Sequence, residues 1–409
     1  MAVLVTGGAG YIGSHLVLEL AKSGYHPIVF DNLSEGHSKA IRGGHLVEGD
    51  LKNFDHLHRL FTNFKIDAVF HMAACCYVGE SMDDPQKYYL NNLLGTLNLL
   101  RAMLEFDVRR IIFSSTAATY GVPEYLPLDE KHSCVPISPY GKSKWFIEQI
   151  MLDYAKSHGL KPVMLRYFNA AGADSEGDLG EAHRVETHLI PLVLKVALKQ
   201  KKQVKIFGTD YETDDGTCIR DYIHVTDLAR AHVLAYEKHY AEPVIFNLGS
   251  GVGFSVREVV EVCEKVTGVS IKTVDSRRRL GDPASLVASN EKAMKELGWK
   301  PEFGDLETMV RTAWVWHRKH PNGYTDETEV QKEFFGEIAI RMGFITHEQL
   351  DEALKLQKQI DKEGSHELLG VLLLREGMLS NSQLIQILKY METKARQRKG
   401  GSENQTADE

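Results

Sequence analysis

The sequence predicts an α/β protein: a doubly wound parallel sheet, a smaller interleaved substrate domain and a C-terminal all-α module. Three observations carry this prediction. The chain opens on an apolar run, Val3-Leu4-Val5-Thr6, that enters a glycine-rich turn. Short apolar segments then alternate with helical ones as far as about residue 170. Finally, residues 333–391 contain a repeat with a spacing of 34.

The first element is a strand at 3–6, followed by Gly7, Gly10 and Gly13 and a helix over 14–22. Glycines at this spacing turn the chain tightly and bring backbone N–H groups and a helix N-terminus close to a pyrophosphate, as in Rossmann-type folds. A second strand at 27–30 ends on Asp31. A carboxylate about twenty residues beyond the glycines accepts hydrogen bonds from the adenosine ribose, and its charge favours NAD over NADP.

Further strands are predicted at 45–48, 68–71, 110–114 and 162–166, and their alternation with helices implies βαβ units. The stretch 88–106 reads as one helix that is apolar on more than one face, so it needs a second partner besides the sheet. The helix at 143–154, with Trp145, Phe146, Ile150 and Met151, is the expected neighbour. Paired with a second copy these helices would form a homodimer interface; alone they would form an intramolecular core.

Residues 1–170 are expected to form the NAD-binding domain, with parts of 222–250 returning to it, and 171–324 to form mainly the substrate domain. Residues 325–394 form the repeat module. Gly336 matches Gly370, Arg341 matches Arg375, Gly343 matches Gly377, Thr346 matches Ser380 and Gln349 matches Gln383. Each copy reads as a helical hairpin whose first helix ends at a glycine and whose second begins with a capping box. Residues 395–409 are polar and expected to be disordered.

Of the 409 residues, 43% are hydrophobic and 25% charged, the proportions of a soluble globular chain. A net charge of −8 leaves no basic face for nucleic acid. No segment approaches the roughly 18 apolar residues of a membrane span, and no signal sequence opens the chain, so a cytoplasmic protein is expected. Cys75, Cys76, Cys134, Cys218 and Cys263 show no paired or zinc-binding spacing, so no metal ligands are assigned.

Tyr140 and Lys144 lie one turn apart on a helix that opens at Tyr140-Gly141-Lys142-Ser143-Lys144. An ammonium there, with an oxidised nicotinamide, would lower the phenol's affinity for its proton and make it a base near neutrality. The same pairing also occurs as a plain surface pair. Here a strand ending at Ser114-Ser115-Thr116 supplies a hydroxyl for the same reacting oxygen.

Together with Gly7–Gly13, Asp31-Asn32, Gly49-Asp50-Leu51, Arg166-Tyr167-Phe168-Asn169, Arg220–Val225 and Arg279–Asp282, these motifs resemble the extended short-chain dehydrogenase/reductase superfamily and, within it, the UDP-sugar 4-epimerases. The resemblance spans about residues 1–320. It implies reversible epimerisation of UDP-glucose and UDP-galactose at C4, through a 4-keto sugar and tightly bound NAD. It further implies Tyr140 as base, Thr116 orienting the 4-hydroxyl and Lys144 holding the nicotinamide ribose. Tyr11, Ile12, Asp31, Asn32, Asp50, Leu51 and Asn91 would line the NAD site, with Phe168 beside the nicotinamide. Asn169, His188, Leu189, Arg220, Arg279 and Asp282 would hold the nucleotide sugar.

Two other readings remain. A dehydratase of the same superfamily carries an Asp-Glu pair after the threonine, where this chain has Ala117 and Ala118. A non-catalytic NAD-binding scaffold would have no use for a poised base. Cys76 stands where some members have lysine, His188 where many have asparagine, and Leu286 at a position that sets room for an N-acetyl group, which leaves hexose and N-acetylhexosamine both open. The C-terminal repeats are similar to helical modules of secretion and pilus assembly ATPases, some of which bind cyclic di-GMP through an Arg-Leu-Gly opening. Here the openings are Phe334-Phe335-Gly336 and Leu368-Leu369-Gly370. Without the guanidinium, a protein-interaction or oligomerisation role is favoured over a nucleotide ligand.

Overall fold

The structure, a computed structural model, describes residues 1–279, 282–324, 335–362 and 367–400. The chain divides into two compact units, Met1–Tyr324 and Thr325–Glu409.

The first unit begins with β1 (Ala2–Thr6), α1 (Tyr11–Lys22), β2 (His26–Asp31), β3 (His45–Glu48), α2 (Phe54–Asn63) and β4 (Ala68–His71). Short helices α3 (Val78–Asp83) and α4 (Pro85–Tyr88) lead through a π-helical stretch, Tyr89–Leu94, into α5 (Gly95–Glu105). Then come β5 (Arg110–Thr116), α6 (Pro139–His158), β6 (Lys161–Tyr167), β7 (Asn169–Ala171), α7 (Leu189–Ala197), β8 (Val204–Phe207) and β9 (Ile219–His224). The unit closes with α8 (Val225–Glu237), β10 (Val244–Leu248), β11 (Gly253–Ser255), α9 (Val256–Thr267), β12 (Thr273–Ser276), β13 (Ser285–Leu286) and α10 (Leu306–Lys319).

Seven strands form a parallel sheet in the order β3-β2-β1-β4-β5-β6-β10. Its central strands β1 and β4 are apolar runs because both faces are covered, whereas the edge strand β3 (His45–Glu48) is exposed at both ends. In β1 the side chains alternate: Val3 and Val5 pack with Leu16 and Leu20 of α1 and Leu228 of α8, whereas Leu4 packs with Leu57, Leu99 and Ile147 on the other face. Burying each such side chain contributes about 1.5–3 kcal/mol. Strand order reverses between β1 and β4, and the crevice at the carboxyl ends there is where this architecture binds ligands.

Beyond this sheet, β9 pairs with β7 and β13 in parallel and with β11 antiparallel, while β8 pairs with β12. Ile190 and Leu194 of α7, Val259 of α9 and Met309 and Val310 of α10 share one core. Strand β10, although later in the chain, lies beside β6 in the main sheet.

The stretch expected as one helix over 88–106 is instead broken by the π-helical turn. Asn92, 2% exposed, sits in this turn and bonds outside its own helix: its Nδ2 donates to the Cys75 carbonyl (3.1 Å) and to Ser143 Oγ (3.0 Å). A wider turn that aims a polar side chain at another element is a common use of π geometry.

In the second unit α11 (Phe335–Arg341) turns at Gly343 (φ +71°) into α12 (His347–Lys362), and α13 (Leu369–Arg375) turns at Gly377 (φ +72°) into α14 (Asn381–Gly400). Both capping boxes form. Gln349 N donates to Thr346 Oγ1 at 3.2 Å and Thr346 N to Gln349 Oε1 at 2.9 Å; Ser380 and Gln383 repeat the pattern at 3.3 and 2.8 Å. A Cβ on Gly336 would lie 2.5 Å from Leu350, and one on Gly370 would lie 3.1 Å from Leu384, so both copies pack on the leucine fourteen residues on. Helix α14 extends through Ala395–Gly400, the first part of the stretch expected to be disordered. Phe334 of the first opening and residues 401–409 lie outside the described residues.

Candidate active site

The glycine turn is shaped by close approaches. Gly7 has φ +70°, and a Cβ there would come within 2.6 Å of the Ala73 backbone. A Cβ on Gly13 would lie 2.1 Å from the Gly7 carbonyl oxygen, whereas one on Gly10 would meet only that oxygen at 3.4 Å. Gly13 therefore seats α1 against the turn, Gly7 lets the segment after β4 approach it, and Gly10, the N-cap, leaves the backbone open at the positive end of the helix. Asp31 is fixed at the end of β2 by Ala9 N on Oδ2 (3.0 Å) and Leu33 N on Oδ1 (2.9 Å). Burial raises its pKa against these hydrogen bonds.

The remaining residues expected at the cofactor make the following contacts. Asn32 Nδ2 donates to Asp50 Oδ2 at 3.2 Å, and Leu51 packs under α5 against Gly95. Ile12 faces the α1 core, Asn91 donates to Asn92 Oδ1 at 3.1 Å, and the Tyr11 hydroxyl donates to the Gly172 carbonyl at 2.7 Å. A turn that excludes side chains, next to a fixed acidic group, fits a dinucleotide such as NAD.

Ser138 caps α6 by accepting from Gly141 N at 3.1 Å. A Cβ on Gly141 would sit 2.5 Å from the Ala118 carbonyl, so the start of α6 presses on the turn that directly follows β5. Burial pushes the Tyr140 phenol up, and the neighbouring Thr116 hydroxyl opposes the rise. Lys144, 2% exposed, lies over the Phe113 ring, its Nζ 4.8 Å from the ring centre. Burial lowers it to about 8.

One turn further on, Glu148 accepts from Arg166 Nε (3.0 Å) and Nη2 (2.6 Å) and from the Ser115 hydroxyl. All three partners are buried. The sequence reading passed over Glu148 and Asn92. The signal for Glu148 was an acidic residue on the Tyr140/Lys144 helix face, among apolar neighbours.

On the substrate side, Phe168 is buried with Ala117, Tyr120, Leu128 and Ala288, and Leu286 packs on that cluster. Asn169 opens β7, His188 is the N-cap of α7 and Leu189 its first residue. Arg220 and Asp282 form an ion pair, with Arg220 Nη2 also donating to the Pro283 carbonyl at 2.8 Å. Arg279 is exposed and stacks on Phe207, its guanidinium carbon 4.2 Å from the ring centre. Glu181, His183, Glu186 and His188 converge, their ligating atoms all within 4.8 Å of one another, a grouping that spacing alone did not reveal.

A parallel Rossmann-type sheet with a glycine cradle, an acid after the second strand and a Thr-Tyr-Lys set defines a dinucleotide-dependent enzyme of the extended short-chain dehydrogenase/reductase class. Within that class, the chain belongs to the NAD dependent epimerase/dehydratase family, whose model matches residues 3–249. It is 54% identical over 331 residues to a UDP-glucose 4-epimerase of Halalkalibacterium halodurans, covering 80% of this chain and 99% of the relative. It is 49% identical over 323 residues to a UDP-glucose 4-epimerase of Rhizobium meliloti, covering 78% and 98%. A solved UDP-glucose 4-epimerase from Brucella ovis in complex with NAD matches with a TM-score of 0.75 at 50% identity, covering 76% of this chain and 97% of that one. Another from Bifidobacterium longum, in complex with NAD+ and UDP, gives 0.77 at 41%, covering 79% and 100%. The fold class, the cofactor and the epimerase resemblance are thus borne out.

Proposed function

We propose that the protein interconverts UDP-glucose and UDP-galactose at C4 through a 4-keto sugar. The observation that carries the reading is the start of α6, with Tyr140, pressed against the turn that follows Thr116 at the carboxyl end of β5, and Lys144 buried one turn on and bonded to Ser114. NAD, when bound, supplies the hydride acceptor and donor at C4. Thr116 orients the 4-hydroxyl and Tyr140 takes its proton. Burial holds the phenol protonated and the Thr116 hydroxyl opposes it; the positive charges of Lys144 and of an oxidised nicotinamide are what would lower it further. Asp31 and Asn32 receive the adenosine ribose, and Phe168 shields the reacting face from water. Arg220 and Arg279 provide guanidinium donors for the diphosphate, with Asn169, His188, Leu189 and Asp282 around the uridine side. Ala117 and Ala118 offer no acid or base for elimination, so the ketone returns to an alcohol rather than losing water.

Leu90 and Leu94 of the π-helical stretch, Leu97 of α5 and Phe146 of α6 are 47%, 40%, 38% and 39% exposed. An apolar face of this kind supports a symmetric homodimer. Sedimentation of Leu94→Asp should show a monomer if this face mediates the pairing. The second unit supports a protein-interaction role, since its described opening begins at Leu368 with no guanidinium for a phosphate. No described helix is long and apolar enough to cross a membrane, and UDP-sugar and NAD chemistry fits the cytoplasm.

The test is incubation of the purified full chain with UDP-galactose without added NAD, followed by anion-exchange separation of the products. UDP-glucose is expected. A stable 4-keto-6-deoxy sugar would indicate a dehydratase, and no turnover even with NAD supplied would indicate a scaffold. Repeating the assay with UDP-N-acetylgalactosamine reads the room beside Leu286.

A further inference from the structure

The segment between β7 and α7 carries a group of side chains that the epimerisation chemistry does not use as a unit. The side chains of Glu181 and Glu186 are only 5% and 3% exposed, and His183 is 13% exposed. Two carboxylates removed from water need positive charge beside them. The groups around them are imidazoles. His183 Nδ1 lies 3.0 Å from Glu181 Oε1 and 3.7 Å from Glu186 Oε2, and His188 Nδ1 lies 3.8 Å from Glu186 Oε1 and in contact with Glu181 Oε1. A tetrahedral zinc ion with ligand bonds of about 2.0–2.1 Å sets its ligand atoms about 3.3 Å apart, the scale of the 3.0, 3.7 and 3.8 Å separations, while the closer His188–Glu181 pair has to open to admit an ion.

Three further observations point to a cation. His183 Nδ1 is buried 3.0 Å from Glu181 Oε1 yet in hydrogen-bonding geometry with neither carboxylate. His317 of α10 is 5% exposed and its Nε2 is equally unpartnered, within range of the charges of Glu181 and Glu186. The Glu186 carboxylate is also held from behind, Oε1 accepting from Thr187 N (2.8 Å) and His188 N (2.9 Å), and the main-chain carbonyl of Glu181 accepts from Trp316 Nε1 (3.1 Å), which fixes the backbone there. Outer contacts of this kind orient the ligands of a metal site.

We propose that Glu181, His183, Glu186 and His188 bind one divalent cation of the zinc class, through two imidazole Nδ1 atoms and one oxygen of each carboxylate. With both histidines neutral, the cation balances the two carboxylates, and binding releases any protons the imidazoles carry. The edges of Tyr11 and Tyr77 face His183, with ring centroids 6.4 and 5.7 Å away. The site therefore fastens the 181–188 segment to the residue that follows Gly10 of the cradle. It acts as a brace, since ligation through Nδ1 leaves His188 Nε2 free to face the nucleotide sugar.

The full chain, stripped with a chelator and dialysed, is titrated with Zn2+ and with Co2+. One Zn2+ per chain and the intense visible absorption of tetrahedral Co2+ are expected. Glu181→Gln and His183→Gln should each weaken binding roughly 100-fold or more, with NAD content and circular dichroism reporting that the fold persists. If a variant fails to fold, the wild-type Co2+ spectrum still decides. Absence of stoichiometric metal and of the tetrahedral band, or binding that His183→Gln leaves unchanged, would overturn the proposal and leave an imidazolium–carboxylate network in its place. None of these readouts depends on epimerase activity.

Discussion

Lys144 Nζ donates to the main-chain carbonyl of Ser114 at 2.7 Å and to its hydroxyl at 3.2 Å, one helical turn beyond Tyr140. The ammonium is thereby tied to β5 rather than to the phenol. It can act on Tyr140 only through its charge, and burial has already lowered its pKa to about 8.

A pH dependence follows. As pH rises through about 8, Lys144 loses its proton and the phenolate loses its compensating charge, so kcat should fall. Lys144→Met should lower kcat throughout and abolish that limb of the profile. Stability should move the other way: between about 8 and the ordinary lysine value near 10.5 the unfolded chain binds the extra proton, so raising pH favours the folded state. Measuring kcat and the urea midpoint across pH 7–10 separates the two effects.

Glu148 is the only carboxylate drawn in contact with Arg166 among the described residues, and both are almost wholly buried. Glu148→Gln leaves a buried guanidinium without its charge partner, a change that costs about 3–5 kcal/mol. Urea denaturation should show a loss of that size. An unchanged midpoint would mean that water reaches Arg166 in the variant.

Gly13→Ala places a methyl group 2.1 Å from the Gly7 carbonyl carbon's oxygen, in backbone that cannot yield cheaply. The purified variant should carry little or no NAD, measured by absorbance after acid release. The more open Gly10 permits a direct contrast: Gly10→Ala should disturb the backbone less while still crowding the ligand.

The main sheet was readable because its central strands are short apolar runs bounded by turns: Val3-Leu4-Val5, buried on both faces, runs straight into the glycine turn. Tyr140 and Lys144 were readable because their relation is local, one turn of one helix. Contacts that join distant segments were not. Glu148 meets Arg166 across 18 residues and Arg220 meets Asp282 across 62, and no periodicity encodes such meetings. The break at Asn91-Asn92 was hidden because its leucine-rich sequence suits a straight helix, and only the partners of Asn92 on other elements account for the wider turn. The Glu181–His188 cluster lies in a loop, where spacing says little about which side chains converge.

The central claim is that C4 of the sugar is oxidised and then reduced by the same hydride, with Tyr140 moving the proton. UDP-galactose deuterated at C4 tests it most directly, by mass spectrometry and NMR of the UDP-glucose formed in ordinary water. The account predicts that the product keeps its deuterium at C4, and that Tyr140→Phe, with its NAD content intact, slows conversion by about 10²–10⁴-fold. UDP-glucose formed with C4 deuterium lost to solvent would contradict it.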